Sequence, residues 1–369
     1  MKVLYIGHYR DGTGWGNAAL NNILSLDAVD IDVVPRAITY EQKDKTYPDR
    51  IKQLEQKSNE NCDVVIQHTL PSNYVYNSSY KNIGVLTCET SNFKSTGWQH
   101  YCNLMDELWV SSEVAKKQTL DSGVTKPVRV IPYGLDISKY SSFKTNGQKI
   151  AELENNFTFG FVGEFIERKN IKALVQAFHL AFDPREPVNL FIKTSKKDLD
   201  HVQGYFKHIK NGMKIRKNYK EEVVICGIMP EEDYISVLSQ IDCFVIPSRG
   251  EACCIPSLEA MALGVPSIYT MDIGVDHLLN LSKINVNQSV RSYPVPCFGA
   301  IETLPNLDTS ESSWQDIDVN QLSKVMRYMY SNLSDPDNKQ RIGSMCIKES
   351  QKYSYIEVGN IMKEALNDC

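Results

Sequence analysis

Residues 241–268 read Ile-Asp-Cys-Phe-Val-Ile-Pro-Ser-Arg-Gly-Glu-Ala-Cys-Cys-Ile-Pro-Ser-Leu-Glu-Ala-Met-Ala-Leu-Gly-Val-Pro-Ser-Ile. The apolar run Ile241, Cys243, Phe244, Val245 and Ile246 predicts a buried strand. A turn containing Gly250 follows, and the small apolar residues Leu258, Ala260, Met261 and Ala262 predict a packed helix. A strand leading through a tight turn to a helix N-terminus presents backbone N–H groups to an anion. Glu251 at the mouth of the turn would face neutral hydroxyls, as on a sugar. Glu259 adds a second carboxylate further down, in a helix whose packing makes an unpaired charge costly. A phosphate cradle beside two carboxylates suits a nucleotide-activated sugar.

Working outward, strands and helices alternate. Predicted strands are Val3–Ile6, Ile31–Val34, Asp63–Gln67, Ile83–Leu86, Glu107–Val110 and Val128–Ile131. Predicted helices are Asn17–Leu26, capped by Asn17, and one opened by Ser111-Ser112-Glu113. From Asp136 to Asn156 the apolar rhythm lapses into serine, asparagine and glycine, which reads as a linker. It restarts with a strand at Phe157–Val162, a helix at Asn170–Phe182, and strands at Val188–Ile192, Val223–Cys226, Cys243–Ile246 and Pro266–Tyr269. This is α/β alternation with parallel, doubly wound sheets. A length of 369 residues fits two domains of roughly 150–200 residues each. Two such units in tandem leave a central cleft at the carboxyl ends of their strands, where ligands bind open sheets. Ser282–Ser313 shows few regular signals and reads as a long functional loop.

Bulk properties exclude several classes. With 42% apolar and 23% charged residues, the chain is neither disordered nor fibrous. A net charge of −5 gives no general attraction to nucleic acid or anionic lipid. The ten cysteines include no Cys-x-x-Cys pair, so free thiols in a reducing compartment are expected. The N-terminus reads as a strand and not a signal peptide, and no apolar run reaches the ~20 residues of a membrane span. The protein is therefore expected in the cytoplasm, soluble or peripheral at a membrane surface.

Several landmarks together resemble family 4 of the glycosyltransferases. They are Val162-Gly163 with Arg168-Lys169-Asn170 and Ala177-Phe178; Gly250 through Gly264-Val265-Pro266; and Asp106-Glu107-Leu108-Trp109-Val110-Ser111-Ser112 with Val130-Ile131-Pro132-Tyr133-Gly134-Leu135-Asp136. The resemblance covers most of the chain and implies the GT-B fold, two Rossmann-like domains facing a cleft. Residues 1–145 would form the acceptor-side domain and 156–350 the nucleotide-sugar domain, with a last helix at about 353–369 packing back on the first. The implied activity is transfer of a hexosyl unit from a UDP- or GDP-sugar to an acceptor glycan, lipid or other hydroxyl compound, with retention of configuration. No permanent cofactor is expected.

Transfer builds negative charge on the departing diphosphate, which Lys169 can meet as a point charge and Arg168 bidentately. By resemblance Glu251 contacts sugar hydroxyls, Glu259 the ribose, and the backbone of Ala252, Cys253 and Cys254 the sugar and phosphates. His68 resembles the histidine placed near the reacting sugar, giving Glu251, Lys169 and His68 as catalytic candidates. Gly14 and Gly16, in the loop Gly12–Gly16, would allow a ligand close approach. Their G-x-G-x-G spacing is not the dinucleotide fingerprint, so a nicotinamide site is not expected. Glu89 and Trp98 are further acceptor-side candidates. Glu164 stands where the family often has arginine, and a carboxylate there would repel a diphosphate. The Asp30/Asp32 and Asp198/Asp200 pairs read as surface charges, so no metal is expected. Between residues 193 and 220 nine basic side chains face two acidic ones. That run reads first as a solvated helix face, and second as a nucleic-acid or anionic-lipid contact. A same-fold epimerase, a sugar phosphorylase and a non-catalytic sugar-binding subunit are the alternatives to transfer.

Overall fold

A computed structural model describes residues 1–39, 47–143, 150–195, 198–279, 287–297 and 308–368. The chain forms two compact units. The first comprises Met1–Ile137, Pro296–Ser313 and Gln351–Cys369; the second comprises Ser138–Val295 and Trp314–Ser350.

In the first unit β1 (Lys2–Gly7), β2 (Asp32–Ala37), β3 (Val64–His68), β4 (Lys81–Val85), β5 (Glu107–Val110) and β6 (Val128–Val130) make one sheet in the order β2-β1-β3-β4-β5-β6. Every pairing is parallel, for example Val3 opposite Val33 on one side and Val64 on the other. In the second unit β7 (Phe157–Val162), β8 (Val188–Thr194), β9 (Val223–Cys226), β10 (Cys243–Ile246), β11 (Ser267–Thr270) and β12 (Gln288–Val290) make a second parallel sheet in the order β12-β11-β10-β7-β8-β9. Helical crossovers cover parallel sheets on both faces, which is why β3, β5 and β10 are buried at every position. In each sheet the strand order reverses once, between β1 and β3 and between β7 and β10. A crevice opens at the carboxyl ends of the strands at such a reversal.

Some local expectations are corrected. The helix after β1 runs Gly14–Ala28, not from Asn17. Thr13 caps it, its hydroxyl accepting the Gly16 N–H at 3.0 Å, so Gly14 and Gly16 lie in the first helical turn. The final helix is Tyr355–Asn367, capped by Ser354. Its Val358, Met362, Ala365 and Leu366 join Ile23 and Leu26 in the core of the first unit. The stretch read as a loop over Ser282–Ser313 holds β12 and a further strand, Ser292–Pro296. Residues 282–286 and 298–307 of that stretch, 144–149 of the linker, and Lys196 and Lys197 of the basic run lie outside the described residues.

Part of the basic run is internal. Lys210 is 4% exposed, on the helix Leu199–Met213. It donates to Glu222 at 2.9 Å and to Glu221 at 2.8 Å, while His179 Nε2 meets Glu222 at 2.6 Å. Arg216 donates to the carbonyls of Phe182 and His179 at 2.6 and 2.8 Å. Burial pushes the Glu222 carboxyl up, but the hydrogen bonds and charges of His179 and Lys210 outweigh it and hold the group below its ordinary value. A carboxyl depressed on folding contributes stability that is present above its unfolded pKa, about 4.3, and is lost as pH falls through the folded value. Melting temperature is therefore expected to fall on acidification below about pH 4.5. Glu222→Gln should cost about 3 kcal/mol at neutral pH, by stranding buried charge, and should flatten that acid limb. Thermal melts between pH 3 and 7 check both. An acid limb equally steep in the variant would remove Glu222 from the explanation.

Candidate active site

β7 and β10 are neighbours at the reversal of the second sheet, and the loops leaving their carboxyl ends carry most of the candidate residues. After β7, a 3₁₀ turn at Glu167–Lys169 leads into the helix Ile171–Ala181. Asn170 joins them at φ +51°, a left-handed conformation that asparagine tolerates better than most residues. After β10, residues 247–254 lead into the helix Ile255–Ala262. Cys254 precedes that helix at φ +60°, and Pro256 sits in its first turn, where a missing N–H costs nothing.

The two loops meet through side chains. Lys169 Nζ donates to Glu251 Oε1 at 2.5 Å, and Arg168 Nη1 lies 3.6 Å from the same oxygen. Arg168 also donates to the Gly250 carbonyl at 2.6 Å. The side chains of Arg168, Lys169 and Glu251 are 10%, 15% and 5% exposed, so water screens these charges poorly. Burial alone would push the Glu251 carboxyl up. The charges of Lys169 and Arg168, with the hydrogen bond from Lys169, win and hold it below the ordinary carboxylate range. The inner cluster therefore sets two cations against one carboxylate.

Residues that sequence reading did not single out hold this loop in place. The Arg249 N–H donates to the Arg168 carbonyl and the Arg249 carbonyl accepts from Gln315 N–H, both at 2.8 Å. The Arg249 guanidinium pairs with Glu167 and with Asp316, and Asp316 accepts from Asn170 at 2.8 Å. Gly274 N–H donates to the Glu251 carbonyl at 2.7 Å. A Cβ on Gly274 would lie 2.2 Å from the Ala252 carbonyl oxygen and 2.4 Å from that of Glu251, so only glycine permits this approach. Consecutive backbone groups from Arg249 to Glu251 are thus clamped from three other segments.

Glu259 is 9% exposed and has a different set of partners. Tyr140, in the stretch read as linker, donates to one oxygen at 2.9 Å, and Tyr234 donates to the other at 2.5 Å. Burial, with the charge of Glu259, pushes the Tyr234 hydroxyl well up and keeps it a donor. Both tyrosines are ordinary in the sequence, and their pairing with Glu259 depends on segments 25 and 119 residues away. Ala252 and Cys253 are each 5% exposed. Burial pushes the Cys254 thiol up to about 12, and the nearby Glu251 charge acts in the same direction. The nine described cysteines are free. Glu164, the departure from the family pattern, is exposed to solvent.

His68, Gly14 and Gly16 belong to the first unit. His68 ends β3 beside the reversal of that sheet, and is buried with its ring 19° from parallel to Tyr133. Burial and the neighbouring His8 hold its pKa well below the usual imidazole value, so the ring is neutral. His68 lines a small cavity with His8, Trp15, Thr87 and Trp98. A Cβ on Gly16 would come 3.0 Å from the His8 carbonyl, so its close approach is to backbone; a Cβ on Gly14 would meet nothing within 4 Å. Glu89 is half-buried, just beyond β4. The aspartate pairs have local uses: Asp198 caps the helix Leu199–Met213, and Asp32 pairs with Lys57. Among the described residues there is no group of three or more His, Cys, Asp or Glu side chains arranged for a metal ion, and no helix is long and apolar enough to cross a membrane.

Residues 142–284 match the family model of glycosyl transferases group 1. The capsular polysaccharide biosynthesis glycosyltransferase CapM of Staphylococcus aureus is 27% identical over 181 residues, which is 46% of this chain and 44% of CapM, so the match spans under half of that relative. Among solved structures, HepE of Anabaena in complex with UDP-glucose superimposes with a TM-score of 0.65 at 13% identity over all of both chains. Sucrose-phosphate synthase of Thermosynechococcus elongatus gives 0.64 at 13% identity, over all of this chain and 99% of that one. OtsA gives 0.68 at 10% identity over 99% of each. These likenesses show the fold, which is GT-B: two doubly wound α/β units, each with a six-stranded parallel sheet.

Proposed function

We propose that this protein transfers a hexosyl unit from a nucleotide-diphosphate sugar to an acceptor hydroxyl, with retention of configuration and without a metal ion. The observation that carries the reading is the Arg168–Lys169–Glu251 cluster at the sheet reversal, where buried cations outnumber carboxylates beside a helix N-terminus. The match of residues 142–284 to glycosyl transferases group 1 supports the chemistry. HepE was solved with UDP-glucose, which makes UDP-sugars the first donors to try and GDP-sugars the second. The likeness to a capsular polysaccharide glycosyltransferase favours a glycan or glycan-bearing acceptor. Sugar nucleotides and free thiols both point to the cytoplasm, with the protein soluble or peripheral at a membrane.

In this reading Lys169 and Arg168 hold the diphosphate, with the helix dipole and the backbone of Ala252, Cys253 and Cys254 assisting. Glu251 accepts from sugar hydroxyls and Glu259 from the ribose, where Tyr140 and Tyr234 keep its carboxylate oriented. The bond from C1 to the β-phosphate oxygen breaks and its electron pair stays on the phosphate, whose growing charge the two cations stabilise. The acceptor oxygen bonds C1 from the same face, and its proton passes to the departing phosphate. We assign His68, in the acceptor-side unit, a hydrogen bond to the transferred sugar.

Incubation with a panel of UDP- and GDP-sugars, with and without oligosaccharide acceptors, tests the proposal. Expected is acceptor-dependent release of nucleoside diphosphate and a product with the donor's anomeric configuration. An epimerised sugar nucleotide or a sugar phosphate would assign the site to other chemistry. Absence of turnover together with absence of donor binding would make it a non-catalytic unit.

A further inference from the structure

The hydrogen-bond chain behind His68 assigns a proton. Tyr5, in the middle of β1, is fully buried, and its hydroxyl lies 2.7 Å from His68 Nδ1. The Asn22 side-chain amide donates to the same hydroxyl at 3.2 Å. A phenol has one proton to give. With the Asn22 amide oriented so that Nδ2 donates to its oxygen, the Tyr5 proton points at His68 Nδ1, and Asn22 Oδ1 is left buried without a partner among the described residues. Were Nδ1 itself protonated, two donors would converge on the Tyr5 oxygen and its own proton would be stranded in a buried site. Buried polar groups are seldom left that way. We propose that Tyr5 is a positioning residue that holds His68 in the tautomer with a bare Nδ1 and a protonated Nε2, so that the ring acts as a hydrogen-bond donor and not as a base.

His68 Nε2 is buried and has no partner among the described residues, while the ring lines the cavity with Trp15, Thr87 and Trp98. The neighbouring imidazole is fixed in the opposite sense. His8 Nδ1 lies 2.9 Å from the His68 carbonyl, which can only accept, so His8 carries its proton on Nδ1. Two histidines with rings 5.5 Å apart thus hold opposite tautomers, each set by a partner behind it. Desolvation also disfavours a second proton on His68. A neutral donor suits a sugar hydroxyl or ring oxygen and cannot take the proton of an acceptor. The assignment of the tautomer stands on geometry alone; its consequence for turnover rests on the transferase reading.

Selective ¹⁵N-histidine labelling reads the tautomer directly, because protonated and bare imidazole nitrogens differ widely in chemical shift. A His68→Gln spectrum identifies the signals. Expected in the otherwise unaltered protein is a protonated Nε2 on His68 at neutral pH; a protonated Nδ1 would overturn the proposal, whether or not any variant folds. In Tyr5→Phe the preference should be lost and both tautomers should populate. An unchanged tautomer in a folded Tyr5→Phe protein would remove Tyr5 from the role. Once a donor sugar is established, Tyr5→Phe should lower kcat about tenfold, the equivalent of one hydrogen bond, with donor KM within about twofold. A protein that transfers no sugar but shows Nε2 protonated fails the function and leaves the tautomer assignment intact.

Discussion

Lys169→Ala is expected to lower sugar transfer by roughly two to three orders of magnitude, as removal of one preorganised charge donor does elsewhere. The ammonium is the closest cation to Glu251, at 2.5 Å, and the two form one unit. Its loss has two consequences that separate experimentally. The diphosphate loses a stabilising charge, and Glu251 is left buried with only Arg168, 3.6 Å away, to offset it. The second effect should cost about 3 kcal/mol of stability, as stranding one half of a buried pair does. A Lys169→Met, Glu251→Gln double variant removes both charges, so its melting temperature should recover while turnover stays lost. A single variant with full turnover on every donor would exclude Lys169 from the chemistry. A double variant whose loss of stability equals the sum of the two single losses would show that the two residues are not coupled.

Gly274→Ala should damage the same site without touching any charge. The added methyl would sit 2.2 and 2.4 Å from two backbone oxygens, and backbone cannot swing aside as a side-chain tip can. The turn from Gly250 to Ala252 must shift, and the bond from Gly274 N–H to the Glu251 carbonyl must lengthen. We expect a loss of about 3 kcal/mol in the second unit, at the upper end of overpacking costs. Turnover should fall about 100-fold, because a displacement near 1 Å at a reacting group has that effect. Gly14→Ala is the matched comparison. Its Cβ meets nothing within 4 Å inside a helix, so stability should be unchanged or gain up to about 1 kcal/mol. Impaired transfer in a stable Gly14→Ala protein would mean that this glycine faces a ligand after all. Thermal melts and turnover measured on both variants settle the comparison.

The α/β alternation was legible because parallel strands buried on both faces read as continuous apolar runs, as in Cys243–Ile246 and Phe157–Val162. Glu251, Arg168 and Lys169 were legible as candidates through their place at strand ends, but their contact was not. Arg168 read as a direct phosphate ligand, yet its guanidinium is partly committed to the Gly250 carbonyl. Gly274, Gln315 and Asp316 carried no local signal, since each acts on a loop at least 23 residues earlier in the chain. Tyr140 was hidden in a stretch whose polar composition suggested a linker. Lys210 looked like one more solvated charge; only the fold brings it to Glu222 and His179. The helix start at Gly14 was missed because Asn17 and Thr13 are both good caps, and local backbone geometry chose Thr13. Short-range pattern thus identified elements and residue types, while pairing across the chain decided what each residue does.

Calorimetric titration with UDP, GDP, UMP and uridine, on the unaltered protein and on Lys169→Ala, tests the proposed diphosphate site most directly. Expected is binding of one nucleoside diphosphate that weakens when the β-phosphate is absent and weakens again when Lys169 is replaced. Equal affinity of both proteins for the diphosphate and the nucleoside would contradict a site built around Arg168, Lys169 and Glu251.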